Sequence, residues 1–160
     1  MKLKENTVVY PLPTDELIEK QERFWRLKLP GAYVDFIKKY NGVEAEQATF
    51  IINNRNYYIE RFLCMLDDIE NNPMGIYDID VVFSQIGERL TDNEDLIGAE
   101  VLPIAVVFAG DIVCLDYRDK NNIPSVCVWS HEESGLFQPV LNRVANSFQE
   151  FLAKIEEYKE

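Results

Sequence analysis

The sequence predicts a single α+β domain, in which an antiparallel or mixed β-sheet is packed against N-terminal and C-terminal helices. Its 160 residues fall within the usual size of one domain, and no internal repeat or linker divides residues 1–160. Along the chain, apolar residues recur first at helical spacing and then at every second position, and both patterns then follow again. The resulting order of helix, helix, strands, helix, strands, helix is segregated, as is typical of α+β proteins.

Residues 14–28 predict the first helix. Thr14 can cap its N-terminus, and Asp15 and Glu16 interact favourably with the positive end of the helix dipole. An apolar stripe follows at spacings of three and four residues, so we expect one face to be buried. The stripe consists of Leu17, Ile18, Gln21, Phe24, Trp25 and Lys28.

The segment LPGAYVDFIKKYNG, residues 29–42, predicts a short second helix with well-marked ends. Pro30 suits the first turn because its missing N–H would have no partner inside the helix there. Asn41 and Gly42 end the helix, since both residue types tolerate the left-handed conformation. The apolar and aromatic face between these ends consists of Tyr33, Phe36, Ile37 and Tyr40.

Residues 48–65 predict a β-hairpin, because the β-branched and aromatic runs ATFIINN and YYIERFLCM are separated by the turn-prone NNRN. After a loop at 67–75, residues 77–90 return to helical spacing and predict the third helix. The apolar positions of this helix are Ile79, Val82, Phe83, Ile86 and Leu90.

Three further strands are predicted after the acidic segment TDNEDLIGAE, over residues 101–109, 112–118 and 125–131. Gly110 and Asp111 form the first turn between them, and DKNNIP forms the second. Because alternating apolar runs are joined by short turns, we expect these strands to be consecutive and antiparallel.

The C-terminal segment, residues 141–158, predicts the last helix. Its apolar residues recur at helical spacing, so we expect one face to be buried. That face consists of Val144, Phe148, Phe151, Leu152 and Ile155.

The charge of the chain indicates the class of partner. Sixteen Lys and Arg against 28 Asp and Glu give a formal net charge of −12, which disfavours binding to nucleic acids or anionic membranes. An acidic face suits a basic protein partner, although acidity also serves solubility alone. The candidate partner-binding carboxylates are Glu44, Glu46, Asp92, Glu94 and Asp95.

The sequence favours a cytoplasmic location. The first residues do not resemble a secretion signal, and the longest mostly apolar run, residues 101–110, is half of the ~20 residues that a membrane-spanning helix needs. The chain has three cysteines, Cys64, Cys114 and Cys127, and all lie in apolar segments. An odd number in such segments is typical of reduced thiols in a protein core. A hairpin centred on Asn121 would place Cys114 and Cys127 nearly opposite each other on its two strands.

The search for catalytic and metal sites is mostly negative. The chain has no GxSxG, glycine-rich phosphate loop or HExxH motif, so we expect neither an enzyme nor a cofactor. His131 is the single histidine, and a structural or surface role is a better interpretation than pairing with a cysteine nucleophile. No four Cys or His residues have the spacing of a zinc site.

Acidic pairs raise the alternative of a hydrolase, since paired carboxylates can act as acid and base where a cleft separates their pKa values. These pairs instead fall in predicted polar loops or at element ends, so we expect solvated loop charge. They are Asp67 with Asp68, Asp78 with Asp80, Asp92 with Glu94 and Asp95, and Glu132 with Glu133.

Four segments in order resemble one family. LPGAYVDFIKKYNG resembles the LPxxYxxFLxxxNG signature of SUKH superfamily domains, which include fungal cell-wall-assembly regulators and many bacterial immunity proteins. VLPIAVVFAGDIVCLDYRD resembles the family's PIAxxxxGDxxxLDxR region, SVCVWSHEE its next strand, and VANSFQEFLAKI its closing helix. The resemblance covers about residues 14–158. One departure is Val43, where the family often has a second glycine.

The residues that carry the resemblance are mostly types that shape turns or fill cores, so we interpret them as fold-determining. They are Pro30, Tyr33, Phe36, Asn41, Gly42, Pro103, Gly110, Asp111, Asp116 and Trp129.

The resemblance implies a function by binding. Bacterial members of the superfamily commonly neutralise a polymorphic or contact-delivered toxin, often a nuclease or deaminase, by stoichiometric occlusion. The resemblance therefore implies an immunity protein, with a regulatory interaction module as the alternative and an enzyme as a distant third. The sequence identifies neither the partner nor the oligomeric state.

Overall fold

The computed structural model describes residues 1–119 and 123–157. Within these ranges, eight strands form an antiparallel sheet and four α-helices accompany it, so the predicted α+β class is confirmed. The strands are β1 (Lys2–Lys4), β2 (Glu44–Gln47), β3 (Thr49–Ile52), β4 (Arg55–Phe62), β5 (Val101–Val107), β6 (Ile112–Asp116), β7 (Ser125–Trp129) and β8 (Leu141–Ala145). The helices are α1 (Asp15–Trp25), α2 (Gly31–Tyr40), α3 (Ile79–Ile86) and α4 (Phe148–Glu157).

The sheet has the order β1-β2-β4-β5-β6-β7-β8, with β3 paired to the first part of β4. Asn53 and Asn54, at φ 50° and 65°, form the two-residue turn of the predicted β3–β4 hairpin. Left-handed residues at both positions match the twist of the paired strands. β1 and β2 were not predicted, because short polar segments such as EAEQ carry no apolar alternation.

The three strands predicted between residues 101 and 131 are consecutive and antiparallel, as expected. Each is shorter than predicted, and β5 ends at Val107 because residues 108–110 form a tight turn in which Ala109 has φ 73°. Cys114 and Cys127 are directly paired across β6 and β7, as predicted. The predicted turn centre, Asn121, lies outside the described residues.

Aromatic side chains join two helices to the sheet. The ring of Phe36 in α2 lies 4.6 Å from that of Phe62 in β4, and the ring of Phe151 in α4 lies 5.4 Å from that of Phe50 in β3. Each such pair adds about 0.5–1.5 kcal/mol to the stabilisation from burial. The N-terminal and C-terminal helices therefore share one core with the sheet.

The predicted last helix is wrong in its first part. Residues 141–145 form β8, which pairs with β7, and α4 begins only at Phe148. Ser147 marks the boundary, since its hydroxyl accepts a hydrogen bond from the backbone N–H of Glu150 at 3.1 Å. Val144 is buried in the strand rather than in a helix, and Tyr158 lies outside the described residues.

The predicted first helix is wrong at its end. Thr14 caps α1 as expected, but the helix ends at Trp25 because Arg26 is left-handed, at φ 59°. Lys28 therefore lies beyond the helix and is exposed. Phe24 is also exposed. Helical spacing shows which side chains share one side of a helix, but it does not show which of them a neighbouring element covers.

The second helix ends through one left-handed residue rather than two. Asn41 has φ −47°, and Gly42 alone is left-handed, at φ 66°. A Cβ atom at Gly42 would lie 2.5 Å from a methyl carbon of Val9, so glycine is required at this position on both grounds.

Candidate protein-binding surfaces

The buried amide of Asn41 ties three segments together. Its Oδ1 accepts a hydrogen bond from the backbone N–H of Met65 at 2.8 Å, and its Nδ2 donates to the carbonyl of Val9 at 3.0 Å. The side chain is fully buried. Because these bonds satisfy backbone groups that water cannot reach, the residue fixes the chain entering α1 and the chain leaving β4.

Asp78 and Asp80 do not have the arrangement of a catalytic pair. Asp78 is buried, not a solvated loop charge as predicted, and accepts hydrogen bonds from the backbone N–H groups of Leu66 and Asp80 at 2.9 and 2.8 Å. Burial raises the pKa of its carboxyl to about 6. Asp80 accepts from the side chains of Gln21 and Trp25. Both carboxylates therefore join structural elements.

A second buried carboxylate lies at the end of β6. Arg118 donates from Nε and a terminal nitrogen to the two oxygens of Asp116, at 3.0 and 2.9 Å. Burial alone would raise the pKa of Asp116, but the hydrogen bonds from Arg118 outweigh it and lower the pKa. The Cys127 thiol lies 3.4 Å from the same carboxylate.

His131 lies beside an aromatic ring rather than a nucleophile. Its ring packs edge-on against Trp129 at 5.9 Å, and its backbone N–H donates to Asp111 at 3.0 Å. The Arg89 guanidinium covers the Trp129 ring at 4.8 Å. In the described ranges, no contact joins His131 to a cysteine, and no group of three His, Cys, Asp or Glu residues has metal-binding geometry.

The five predicted partner-binding carboxylates form two separate groups. Glu44 and Glu46 lie on β2, where Glu44 pairs with Lys4 at 3.1 Å and Arg61 at 3.4 Å, and Glu46 pairs with Lys2 at 3.6 Å. Their charges are therefore partly neutralised within the chain.

Asp92, Glu94 and Asp95 lie in the segment between α3 and β5 and are exposed. Within the described ranges, none of the three has an ion-pair partner, and no contact joins them to the β2 group. They are the freer carboxylates of the predicted set.

A cleft of about 330 Å³ lies beside α1. Pro11, Leu12 and Leu17 give it an apolar lining, and Lys20 pairs with Asp67 at its rim at 3.6 Å. The remaining lining residues are Thr14 and Glu16.

Phe24 continues the same row along α1. Glu16, Lys20 and Phe24 are spaced four residues apart, and side chains at this spacing lie above one another on a helix. The Phe24 side chain is 68% exposed, although it belongs to the apolar stripe of α1. An apolar cleft and an exposed aromatic side chain therefore lie along one side of α1.

The residues that directly follow the acidic segment 92–97 are fixed against the C-terminal end of α1. The backbone N–H of Ala99 donates to the carbonyl of Trp25 at 2.8 Å. Gly98 makes this approach possible, because it is left-handed at φ 85° and a Cβ atom there would lie 2.4 Å from the same carbonyl oxygen. Ile97, 68% exposed, is held at this end of the helix.

We call the cleft, Phe24 and the segments 67–70 and 92–97 the α1 surface. The two segments supply six carboxylates, and neither contains Lys or Arg. The carboxylates are Asp67, Asp68, Glu70, Asp92, Glu94 and Asp95. The α1 surface thus combines exposed apolar groups with negative charge.

A second group of exposed apolar residues lies at one end of the sheet, and we call it the turn-end surface. The antiparallel order brings the β3–β4, β5–β6 and β7–β8 connections to this end. Arg55 lies 3.8 Å from Asp111, which links the first two connections. The exposed apolar residues of this surface are Ile51, Tyr58, Phe108 and Leu136.

Comparison with known proteins identifies the family. A family model described as SUKH_6, SMI1-KNR4 cell-wall, matches residues 15–152. The chain belongs to the SUKH family. A similar protein, described as the SPbeta prophage-derived uncharacterized protein YokK of Bacillus subtilis (strain 168), is 28% identical over 160 residues, covering 94% of this chain and 81% of the relative.

The SUKH match runs from the start of α1 into α4 and includes β2 to β8. SUKH domains are generally non-catalytic binding domains. Of the ten signature residues of this SUKH domain, eight are buried, Pro30 is half-buried and Gly110 is exposed. Burial leaves most of the signature little area with which to contact a partner. The part of the chain that the structure describes contains no helix long and apolar enough to cross a membrane.

The sequence did not reveal the apolar part of the α1 surface of this SUKH domain. Phe24 fitted the buried stripe of the first helix, and nothing in its spacing revealed that no other element covers it. The glycine before Ala99 was the available signal, because a glycine within an acidic segment can mark a close backbone approach. The signal did not show which element the segment approaches.

Proposed function

We propose that this SUKH domain is a non-enzymatic, cytoplasmic immunity protein that binds a basic toxin domain, of nuclease or deaminase type, and blocks it by occlusion. The observation that supports the proposal most strongly is that the chain belongs to a family of binding domains and has a net charge of −12. A domain that acts on nucleic acid needs clustered Lys and Arg to hold phosphates. An acidic protein can cover that basic surface and exclude the substrate.

The charge arrangement supports electrostatic steering. Asp92, Glu94 and Asp95 are exposed and have no ion-pair partner within the described ranges, so their field extends into solvent. Complementary charge raises the association rate, and salt screens the attraction beyond about 10 Å at 0.1 M. Glu44 and Glu46 contribute less to this field because Lys2, Lys4 and Arg61 lie beside them.

The domain's internal contacts support occlusion over catalysis. The buried carboxylates of Asp78 and Asp116 and the half-buried carboxylate of Asp80 accept hydrogen bonds that stabilise the fold. Occlusion requires only a stable surface, and this sheet and its helices supply one.

The test is rescue of growth. The proposal expects a toxin domain to be encoded near this gene, and the test expresses that domain in a sensitive host with and without the SUKH protein. The proposal expects growth only when both are present, and a complex whose association slows as salt is raised. Substituting Asp92, Glu94 and Asp95 with Lys should lower the association rate at least tenfold, whereas Glu44→Lys with Glu46→Lys should lower it less.

Failure to bind or protect against any neighbouring toxin would overturn the proposal. Binding to a protein that is not toxic would favour the regulatory interaction module instead. The family description SMI1-KNR4 cell-wall is the observation behind that alternative.

A further inference from the structure

We infer that the α1 surface is the docking face for the basic partner, with the cleft and Phe24 as apolar contacts and the two acidic segments as the charged rim. This inference rests on the proposed function and adds the location of the interface. It commits to a basic protein as the occupant, because the six rim carboxylates outnumber the three basic residues at positions 20–26 of α1 and its C-cap, and in the described ranges only Asp67 of the six has an ion-pair partner.

The geometry of α1 supports an elongated docking face. The cleft lies beside the N-terminal half of the helix, and Phe24 lies one turn beyond Lys20 on the same row. Interfaces commonly have apolar contacts at the centre and polar groups at the rim. Aromatic residues, Phe among them, are enriched in such interfaces, and the ring of Phe24 is exposed.

The acidic segments approach α1 at two points along its length. The segment 67–70 is held beside the middle of α1 by the Lys20–Asp67 ion pair, at 3.6 Å. The segment 92–97 is held at the C-terminal end by the hydrogen bond from Ala99 to Trp25. A partner seated on α1 would therefore meet negative charge near the middle of the helix and near its C-terminal end.

The helix itself also carries basic groups. Lys20 is neutralised by Asp67, whereas Arg23 and Arg26 are exposed on the turn that leads away from the cleft. Their presence predicts that the partner's basic residues align with the segments rather than with the helix axis.

The turn-end surface is the competing site on this chain. It exposes apolar side chains such as Tyr58 and Phe108. Its charges are mixed, since Arg55 pairs with Asp111 and Glu132 and Glu133 are exposed. The α1 surface is preferred because it adds a cleft and the carboxylates of Asp92, Glu94 and Asp95, which have no ion-pair partner in the described ranges, to its exposed apolar groups.

The test compares matched pairs of exposed residues. One variant combines Phe24→Ser with Ile97→Ser, and its control combines Tyr58→Ser with Phe108→Ser; all four side chains are exposed, so we expect both variants to fold with unchanged melting temperature. Each is measured by surface plasmon resonance against a catalytically inactive form of the toxin domain encoded beside the gene. We expect the first pair to raise the dissociation constant at least tenfold, mainly through the off-rate, and the control to change it less than twofold.

The outcomes separate the inference from the proposed function. If the wild-type protein does not bind the toxin domain, the proposed function fails, and the inference fails with it. If it binds and only the Tyr58/Phe108 variant weakens the complex, the function stands and the docking face is wrong. Sedimentation of the wild-type protein alone as a dimer that the Phe24/Ile97 variant disperses would also overturn the inference, because a second copy would then occupy the surface.

Discussion

The side-chain amide of Asn41 and the backbone of Met65 form a reciprocal pair: Oδ1 accepts from the Met65 N–H at 2.8 Å, and Nδ2 lies 3.4 Å from the Met65 carbonyl oxygen. The same Nδ2 also donates to Val9. A signature residue of the family thus joins the N-terminal segment, the end of α2 and the end of β4 at one buried point.

Asn41→Ala should destabilise the fold by at least about 2 kcal/mol, since each buried polar group left without a partner costs about 1–3 kcal/mol. Urea denaturation followed by circular dichroism measures the loss. Asn71→Ala is the control, because Asn71 is exposed and bonds only to its neighbour Asp68. Equal, small losses in both variants would show that the Asn41 contacts are dispensable.

Gly98→Ala should lower the free energy of unfolding by roughly 1–3 kcal/mol. A left-handed conformation costs a residue with a Cβ about 1–2 kcal/mol, and the new atom would press on the Trp25 carbonyl. The variant should also weaken toxin binding, because the acidic segment would move away from α1.

Gly31→Ala provides the matched comparison for this glycine substitution. A Cβ at Gly31 meets no atom within 4 Å, and the residue lies in the first turn of α2. We expect this variant to be as stable as the wild type or slightly more stable. Thermal unfolding of both variants makes the comparison, and equal stability would contradict the close approach at Gly98.

The three thiols should be nearly inert in the folded protein. Burial raises the pKa of Cys64 to about 12 and that of Cys127 to about 11, and it raises the pKa of Cys114 as well. The reactive thiolate is therefore scarce at pH 8. A disulfide reagent should label all three cysteines only as fast as the protein opens, with immediate labelling in denaturant as the control. Rapid labelling of one cysteine in the native protein would instead identify a reactive site.

Asp78 should make stability depend on pH between about 4 and 6. Its folded pKa, raised by burial to about 6, exceeds the ordinary value of 3.8, so the folded state holds the proton more tightly than the unfolded state. Stability linked to this group is therefore highest below pH 4, falls as pH rises to about 6, and is constant above. The free energy of unfolding of Asp78→Asn, relative to the wild type, should rise over the same interval. A constant difference would contradict the raised pKa.

Sequence patterns predicted the fold well where periodicity and turn chemistry agreed. The β3–β4 hairpin and the consecutive strands β5 to β7 follow from alternating apolar runs joined by residues that favour turns. The last helix failed at its start because Leu141, Val144 and Phe148 also fit a helical period, although a five-residue strand contains two of them. Ser147 followed three residues later by Glu150 was the missed signal for a helix start.

The candidate surfaces were less accessible from sequence. The sequence identified Asp92, Glu94 and Asp95 as candidate carboxylates, but the exposure of Phe24 depends on which side chains the tertiary packing leaves uncovered. Likewise, the ion pairs of Glu44 with Lys4 and Arg61 join residues far apart in the chain. Ion pairs between such distant residues determine which carboxylates remain unpaired, and local sequence patterns do not reveal these pairs.

The most direct test of the central claim is a titration of toxin activity with this protein. Nuclease or deaminase turnover by the neighbouring toxin domain is measured at a fixed toxin concentration, well above the dissociation constant, as SUKH protein is added. Occlusion predicts a linear fall in activity that ends at a fixed molar ratio of SUKH protein to toxin. Complete inactivation by far less SUKH protein than toxin, growing with time, would show catalysis, and unchanged activity at excess SUKH protein would contradict the immunity function.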